Sequence, residues 1–155
     1  MPPVAAAAVC AAGTLRRATR SVARLYDAHL ARAGLTTTQF SLLQALARRG
    51  DPVPLAELAQ EQAFERTSLY RALEPLRREG LIAFSAGRGR SKEASLTPRG
   101  IRKVAEALPR WQEAQEAFLL EFGRSAWTAL AKQLTTIVDV MKGVDPVRVG
   151  SWRRS

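Results

Sequence analysis

From residue 101 onward the chain is patterned for long helices that it cannot easily cover by itself. Ile101, Val104, Leu108, Trp111, Gln115, Phe118 and Phe122 recur at steps of three and four, and Trp127, Leu130, Leu134, Ile137 and Met141 repeat the pattern. The break falls near Gly123-Arg124. Such narrow seams seek partner helices. A further seam lies near the start, where Leu15, Ala18, Val22, Tyr26 and His29 predict a first helix over about 10–32. Three seams in 155 residues exceed what one small core absorbs, so the pattern predicts a homodimer joined through residues 10–34 and 98–142.

Between these ends the elements are shorter. Gly34 closes the first helix, Thr36, Thr37 and Thr38 offer an N-cap, and Phe40, Leu43 and Ala47 follow at helical spacing as far as Gly50. Asp51-Pro-Val-Pro54 reads as a linker. A short helix over 55–62 turns Leu55, Leu58 and Ala59 inward, and a second over about 65–79 does the same with Leu69, Leu73 and Leu76. Pro75 in that helix and Pro109 further on each remove a helical hydrogen bond and should bend their helices. After Gly80, residues 81–84 and 93–96 read as two strands around the Gly-rich tip 86–90, and Thr97-Pro98 opens the next helix. The fold class is therefore mostly α with a small β-hairpin wing: a winged helix-turn-helix domain over 35–97, flanked by dimerisation helices. Residues 1–9 are expected to be a flexible start and 143–155 an irregular tail.

Charge narrows the function. The formal net charge is +10. Residues 66–110 carry eleven bases and four acids, whereas 51–65 carry four acids and no base. A clustered basic excess is the electrostatic footprint of a nucleic-acid binder. The helix over 65–79 keeps Thr67, Ser68, Tyr70 and Arg71 off its leucine face, crowded at its N-terminal end, with Glu74 one turn on. Hydroxyls can donate to phosphates or bases, and arginine can pair bidentately with guanine. Arg88, Arg90 and Lys92 sit on the narrow hairpin, suited to the negative potential of a minor groove. Thr38 joins them as a candidate DNA contact. The partner expected is double-stranded DNA; the alternative is a sequence-blind architectural or RNA-binding protein, which the charge fits equally well.

Other classes find less support. One His, one Cys and scattered acids provide neither a metal-ligand spacing nor a catalytic triad, and no Gly-rich phosphate loop follows a strand, so neither an enzyme nor a cofactor is expected. No apolar run reaches the roughly 18 residues of a membrane span. Met1–Ala12 is small and apolar with its basic residues behind it, the reverse of a secretory signal, and a lone Cys fits a reducing cytoplasm.

Taken together, Leu35-Thr-Thr-Thr-Gln-Phe-Ser-Leu-Leu-Gln-Ala-Leu, Leu55-Ala-Glu-Leu-Ala, Glu65-Arg-Thr-Ser-Leu-Tyr-Arg, Glu79-Gly-Leu-Ile and Leu96-Thr-Pro-Arg-Gly resemble the MarR family of winged-helix regulators over roughly residues 10–142. The resemblance implies a dimer held by its terminal helices that represses by occupying palindromic promoter sites. It puts the 65–79 helix in the major groove and Arg90 in the minor groove. Arg88 stands where the family wing usually has an Asp that orients that arginine. Cys10, Leu15-Arg-Arg-Ala-Thr-Arg, Leu25-Tyr-Asp and Arg71-Ala-Leu-Glu-Pro-Leu resemble a subgroup of the family. Two kinds of effector follow. Tyr26 and His29 are candidates to line a pocket for a small aromatic acid. Cys10, near Arg16 and Arg17, is a candidate oxidant sensor, because a thiol reacts as its thiolate.

Overall fold

The computed structural model describes residues 10–89 and 91–144. Its elements run α1 (Ala11–Leu30), a 3-10 turn (Ala31–Ala33), α2 (Thr37–Arg49), β1 (Val53–Pro54), α3 (Leu55–Glu61), α4 (Arg66–Arg78), β2 (Ile82–Ala86), β3 (Lys92–Leu96), α5 (Pro98–Phe122) and α6 (Arg124–Lys142). The chain divides into two compact units, Met1–Phe118 and Leu119–Ser155. The expected flexible start at 1–9 and all but Gly143 and Val144 of the expected tail lie outside the described residues. None of the described helices is long and apolar enough to cross a membrane.

The core of the first unit is mostly aliphatic. Phe40, Leu42, Leu43 and Leu46 of α2, Leu55 and Leu58 of α3, and Leu69, Leu73 and Leu76 of α4 are all buried, together with Leu30, Leu35, Val53, Leu81 and Ile82. Each fully buried side chain of this size contributes about 1.5–3 kcal/mol of transfer free energy. The α2 helix starts where its sequence says it should. The Thr36 hydroxyl accepts from the Gln39 amide at 3.2 Å while Gln39 Oε1 accepts from the Thr36 amide at 2.9 Å, a reciprocal capping box. Thr37 acts on a neighbouring helix instead. Its amide and hydroxyl both donate to Asp27 Oδ1, at 2.7 and 2.6 Å, tying α2 to α1.

Three features depart from the sequence expectations. The 51–54 linker contains a strand, since Val53 pairs with Ala94 and Pro54 with Glu93. The hairpin is thus a three-stranded antiparallel sheet in the order β1-β3-β2. Val53 is buried, which draws the segment in, and Pro54 lies on an edge strand, where a missing N–H is tolerated. The second departure is the inward face of α5. It is lined by Gly100, Ala107 and Ala114, with Val104, Trp111 and Phe118 beside them, while Ile101 and Leu108 of the expected seam are exposed. Small residues let the helix lie close, and Trp111 stacks on Phe40 with ring centroids 6.2 Å apart. Third, Ala18 and Ala47 are exposed; α2 buries Leu42, Ala45 and Leu46 instead of Ala47.

The phrase Leu96-Thr-Pro-Arg-Gly has a mechanical meaning. The Thr97 hydroxyl donates to the Gly80 carbonyl at 2.6 Å and accepts from the Gly100 amide at 3.0 Å, and the Thr97 amide donates to the Leu81 carbonyl at 3.1 Å. A Cβ on Gly100 would run into the Leu81 carbonyl oxygen. The start of α5 is thereby clamped onto the turn joining α4 to the wing.

Candidate nucleic-acid interface

Helix α4 spends one face on the core and leaves the other open. Leu69, Leu73 and Leu76 are fully buried, whereas Arg66, Thr67, Ser68 and Arg71 are exposed. Glu65 occupies the N-cap position without a side-chain hydrogen bond to the first turn. No hydroxyl is used up in capping, and the first-turn amides point outward with the positive end of the helix dipole. That end suits phosphate oxygens. Arg71 forms no ion pair among the described residues. Glu74, one turn on, does: Arg77 donates to its two oxygens at 2.9 and 2.7 Å. That hydrogen bond, with the charges of Arg77 and Arg78, holds the Glu74 carboxyl below its ordinary range.

The turn before α4 is tight. Ala63 has φ +53, a left-handed conformation that a Cβ disfavours. The Phe64 amide donates to the Ala59 carbonyl at 2.8 Å, and the Phe64 ring packs on the core, so the α3 end closes as a Schellman turn with Ala where Gly is usual. The acids of this segment are partly neutralised from α2. Arg49 bonds Glu57 at 2.6 Å and Arg48 bonds Glu61 at 3.0 Å.

The wing begins with Ile82 buried against the body and becomes exposed toward its tip. Gly87 donates to the Ser91 carbonyl at 2.9 Å, and the Arg88 carbonyl accepts from the Ser91 hydroxyl at 2.9 Å. Gly89 takes φ +66, which its missing Cβ allows. The Arg88 and Lys92 side chains are exposed. Arg90, the expected wing-tip contact, lies outside the described residues. Thr38 is exposed on the first turn of α2. Tyr70 is the exception among the α4 candidates: it is half-buried and faces the wing. Arg66 is exposed beside these candidates and is not among the residues expected from sequence.

The effector candidates sit elsewhere. Tyr26 is buried and its hydroxyl donates to Gln115 Oε1 at 2.5 Å; burial pushes that hydroxyl up from its ordinary pKa and keeps it a donor. His29 Nδ1 lies 3.5 Å from Glu113 Oε2, beside Arg32 and Arg110. Both α1 residues therefore have partners on α5. Cys10 is exposed at the N-cap of α1, on a shallow surface shared with Arg16, Arg17 and Arg20. Among the described residues no group of three or more ligating side chains comes together.

No family model and no curated protein sequence matches the chain. Solved structures do. The transcriptional regulator MosR of M. tuberculosis, crystallised in complex with DNA, is 34% identical over 86% of this chain and 96% of that one, with a TM-score of 0.77. A probable transcriptional regulator from Pseudomonas aeruginosa is 27% identical over 83% and 97%, with a TM-score of 0.73. A MarR-family regulator from a Rhodococcus species shares the fold at 18% identity, covering 81% of this chain and 89% of that one, with a TM-score of 0.72. With a helix-turn-helix, a wing and the clamped Leu-Thr-x-x-Gly phrase all in place, the chain belongs to the MarR family of winged-helix transcriptional regulators.

Proposed function

We propose that the protein is a sequence-specific, double-stranded-DNA-binding repressor that acts as a homodimer and is released by a small ligand or an oxidant. The observation that carries this reading is α4. It has a fully buried leucine face, an uncapped N-terminus, and Arg66, Thr67, Ser68 and Arg71 exposed. In this reading Arg71 meets base edges in the major groove, and Thr67, Ser68 and Thr38 meet phosphates. Arg88, Arg90 and Lys92 carry the wing's charge to the minor groove. The DNA complex of MosR supports the same use of the fold. A dimer is supported by apolar residues left uncovered in each unit, Ile101 on α5 and Val140 and Met141 on α6, each more than half exposed. Two-fold symmetry then asks for a pseudo-palindromic operator with half-sites one helical turn apart. Release is assigned to Tyr26 and His29 for a ligand or to Cys10 for an oxidant.

The test is selection of bound fragments from a genomic DNA pool, followed by titration of the selected site and a scrambled one. Arg71→Ala should lower the preference between them by about 1–3 kcal/mol. An unchanged preference would put the recognition face elsewhere, and equal wild-type affinity for both sequences would favour an architectural binder. Transcription from the selected promoter should fall when the protein is added. It should recover with peroxide in wild type but not in Cys10→Ser if the oxidant route holds.

A further inference from the structure

Tyr70 precedes Arg71 on α4, yet its ring leaves the open face. It meets Phe84 of β2 edge-on, with ring centroids 6.3 Å apart and planes at 67°. Lys92 of β3 places its Nζ 6.0 Å from the centre of the same ring. The register explains how one side chain engages both strands. Phe84 pairs with Ala94 and Ala86 with Lys92, so Phe84 and Lys92 are diagonal neighbours on one face of the ladder. Next along β2, Ser85 and Ala86 are exposed, so this contact lies where the wing leaves the body. The Tyr70 hydroxyl makes no hydrogen bond among the described residues; the ring makes the contacts.

We infer that Tyr70 is a positioning residue that fixes the wing against the recognition helix, so that Arg71 and the wing's bases meet the duplex in one set geometry. The inference rests on the proposal that α4 and the wing read DNA. It differs from a hydrogen bond of Tyr70 to DNA in a way that can be measured, because a positioning role needs the ring and a hydrogen bond to a base or phosphate needs the hydroxyl.

The experiment has two arms on the full chain. In DNA-free protein, hydrogen exchange of the β2 and β3 amides should be about tenfold faster in Tyr70→Ala, with α2 amides unchanged, and within about twofold of wild type in Tyr70→Phe. Phe84→Leu keeps apolar bulk but loses the aromatic edge, and it should reproduce the wing-limited change even if Tyr70→Ala folds poorly. In the second arm, hydroxyl-radical footprints on the selected operator should show Tyr70→Ala losing protection at the flanks, where the wings lie, and keeping it at the half-site centres. Tyr70→Phe should keep both. Unchanged wing exchange in Tyr70→Ala and Phe84→Leu would overturn the inference. So would a Tyr70→Phe variant that loses flank protection or sequence preference. A wild-type chain that protects no DNA would end the DNA-reading proposal instead, and the exchange arm then decides by itself whether Tyr70 holds the wing.

Discussion

Helices α4 and α6 are both amphipathic, but they use their apolar residues differently. The apolar residues of α4 are concentrated at Leu69, Leu73 and Leu76, a stripe that disappears completely into the core of its unit. No residue of α6 is buried, and Ile137, Val138, Val140 and Met141 are all exposed. Positions 137, 138, 140 and 141 spread over a broad arc of the helix, wider than a three-leucine stripe. The contrast supports a different proposed use for each helix. In α4 the core absorbs the apolar face and the polar face is free to recognise a ligand. In α6 the apolar arc is itself exposed, and burying it in the proposed dimer would supply free energy for association.

The strongest perturbation expected is one that unseats α4's own unit. Gly100→Ala puts a methyl group onto the Leu81 carbonyl oxygen, a backbone atom that cannot swing aside. A loss of about 3 kcal/mol is expected, read by urea unfolding of the DNA-free protein. If Gly100→Ala unfolds at the wild-type midpoint, the clamp between α5 and the wing base is looser than its geometry implies. The next largest effect should fall on α6 and have the opposite character. Val140→Asp adds a charge to an exposed position, so it should cost the isolated chain little. In a dimer seam it would bury that charge and drive dissociation. Sedimentation at micromolar concentration should show wild type as a dimer and Val140→Asp as a monomer with its far-ultraviolet dichroism intact. Wild type sedimenting as a monomer would leave the α6 arc without its proposed use.

The same contrast marks how far the sequence could be read. The Leu69, Leu73, Leu76 stripe, an N-cap among Thr36, Thr37 and Thr38, and the break near Gly123 are local signals, and each lies where its spacing or residue type puts it. The pairing of Val53 with Ala94 was not legible, because two residues about forty positions apart carry no shared periodicity. Neither was the inward face of α5. Large apolar residues mark Ile101 and Leu108, but a helix that packs closely turns its small residues inward, here Gly100, Ala107 and Ala114. Among the site residues, the exposure of Thr67, Ser68 and Arg71 follows from the leucine stripe. Helical phase alone could not place Tyr70, since it leaves unstated on which flank of α4 the wing lies.

A smaller effect sharpens the picture of α4's entry. Ala63 holds a left-handed backbone in the turn between α3 and α4, at a cost its Cβ imposes. Gly accepts that conformation freely, although it adds freedom to the unfolded chain. The two terms oppose each other, and the strain is the larger. Ala63→Gly should therefore stabilise the protein by about 0.5–1 kcal/mol in urea unfolding and leave its sedimentation behaviour unchanged. Destabilisation would mean that the turn relaxes in solution to a conformation alanine prefers.

The smallest effect expected is the pH dependence carried by Glu113, which lies in the first unit with α4. Partial desolvation raises its pKa. The Arg110 charge, hydrogen bonds from His29 and Arg110, and the Arg32 charge outweigh that and leave the carboxyl below its ordinary value. A carboxyl lowered by folding binds protons less readily in the native state than in the unfolded chain. Its contribution is thus present above the unfolded value of about 4.3 and is lost as pH falls through the lower folded one. The group is exposed, so the effect is modest and added salt should shrink it. Unfolding midpoints measured from about pH 6 down to pH 3 should fall more steeply in wild type than in Glu113→Gln, with the gap closing in high salt. Glu74 is lowered too, by its bond to Arg77, and remains in both proteins, so the difference between the two curves isolates Glu113. Superimposable curves would show that the His29–Glu113 link between α1 and α5 adds nothing to the stability of the unit that carries α4.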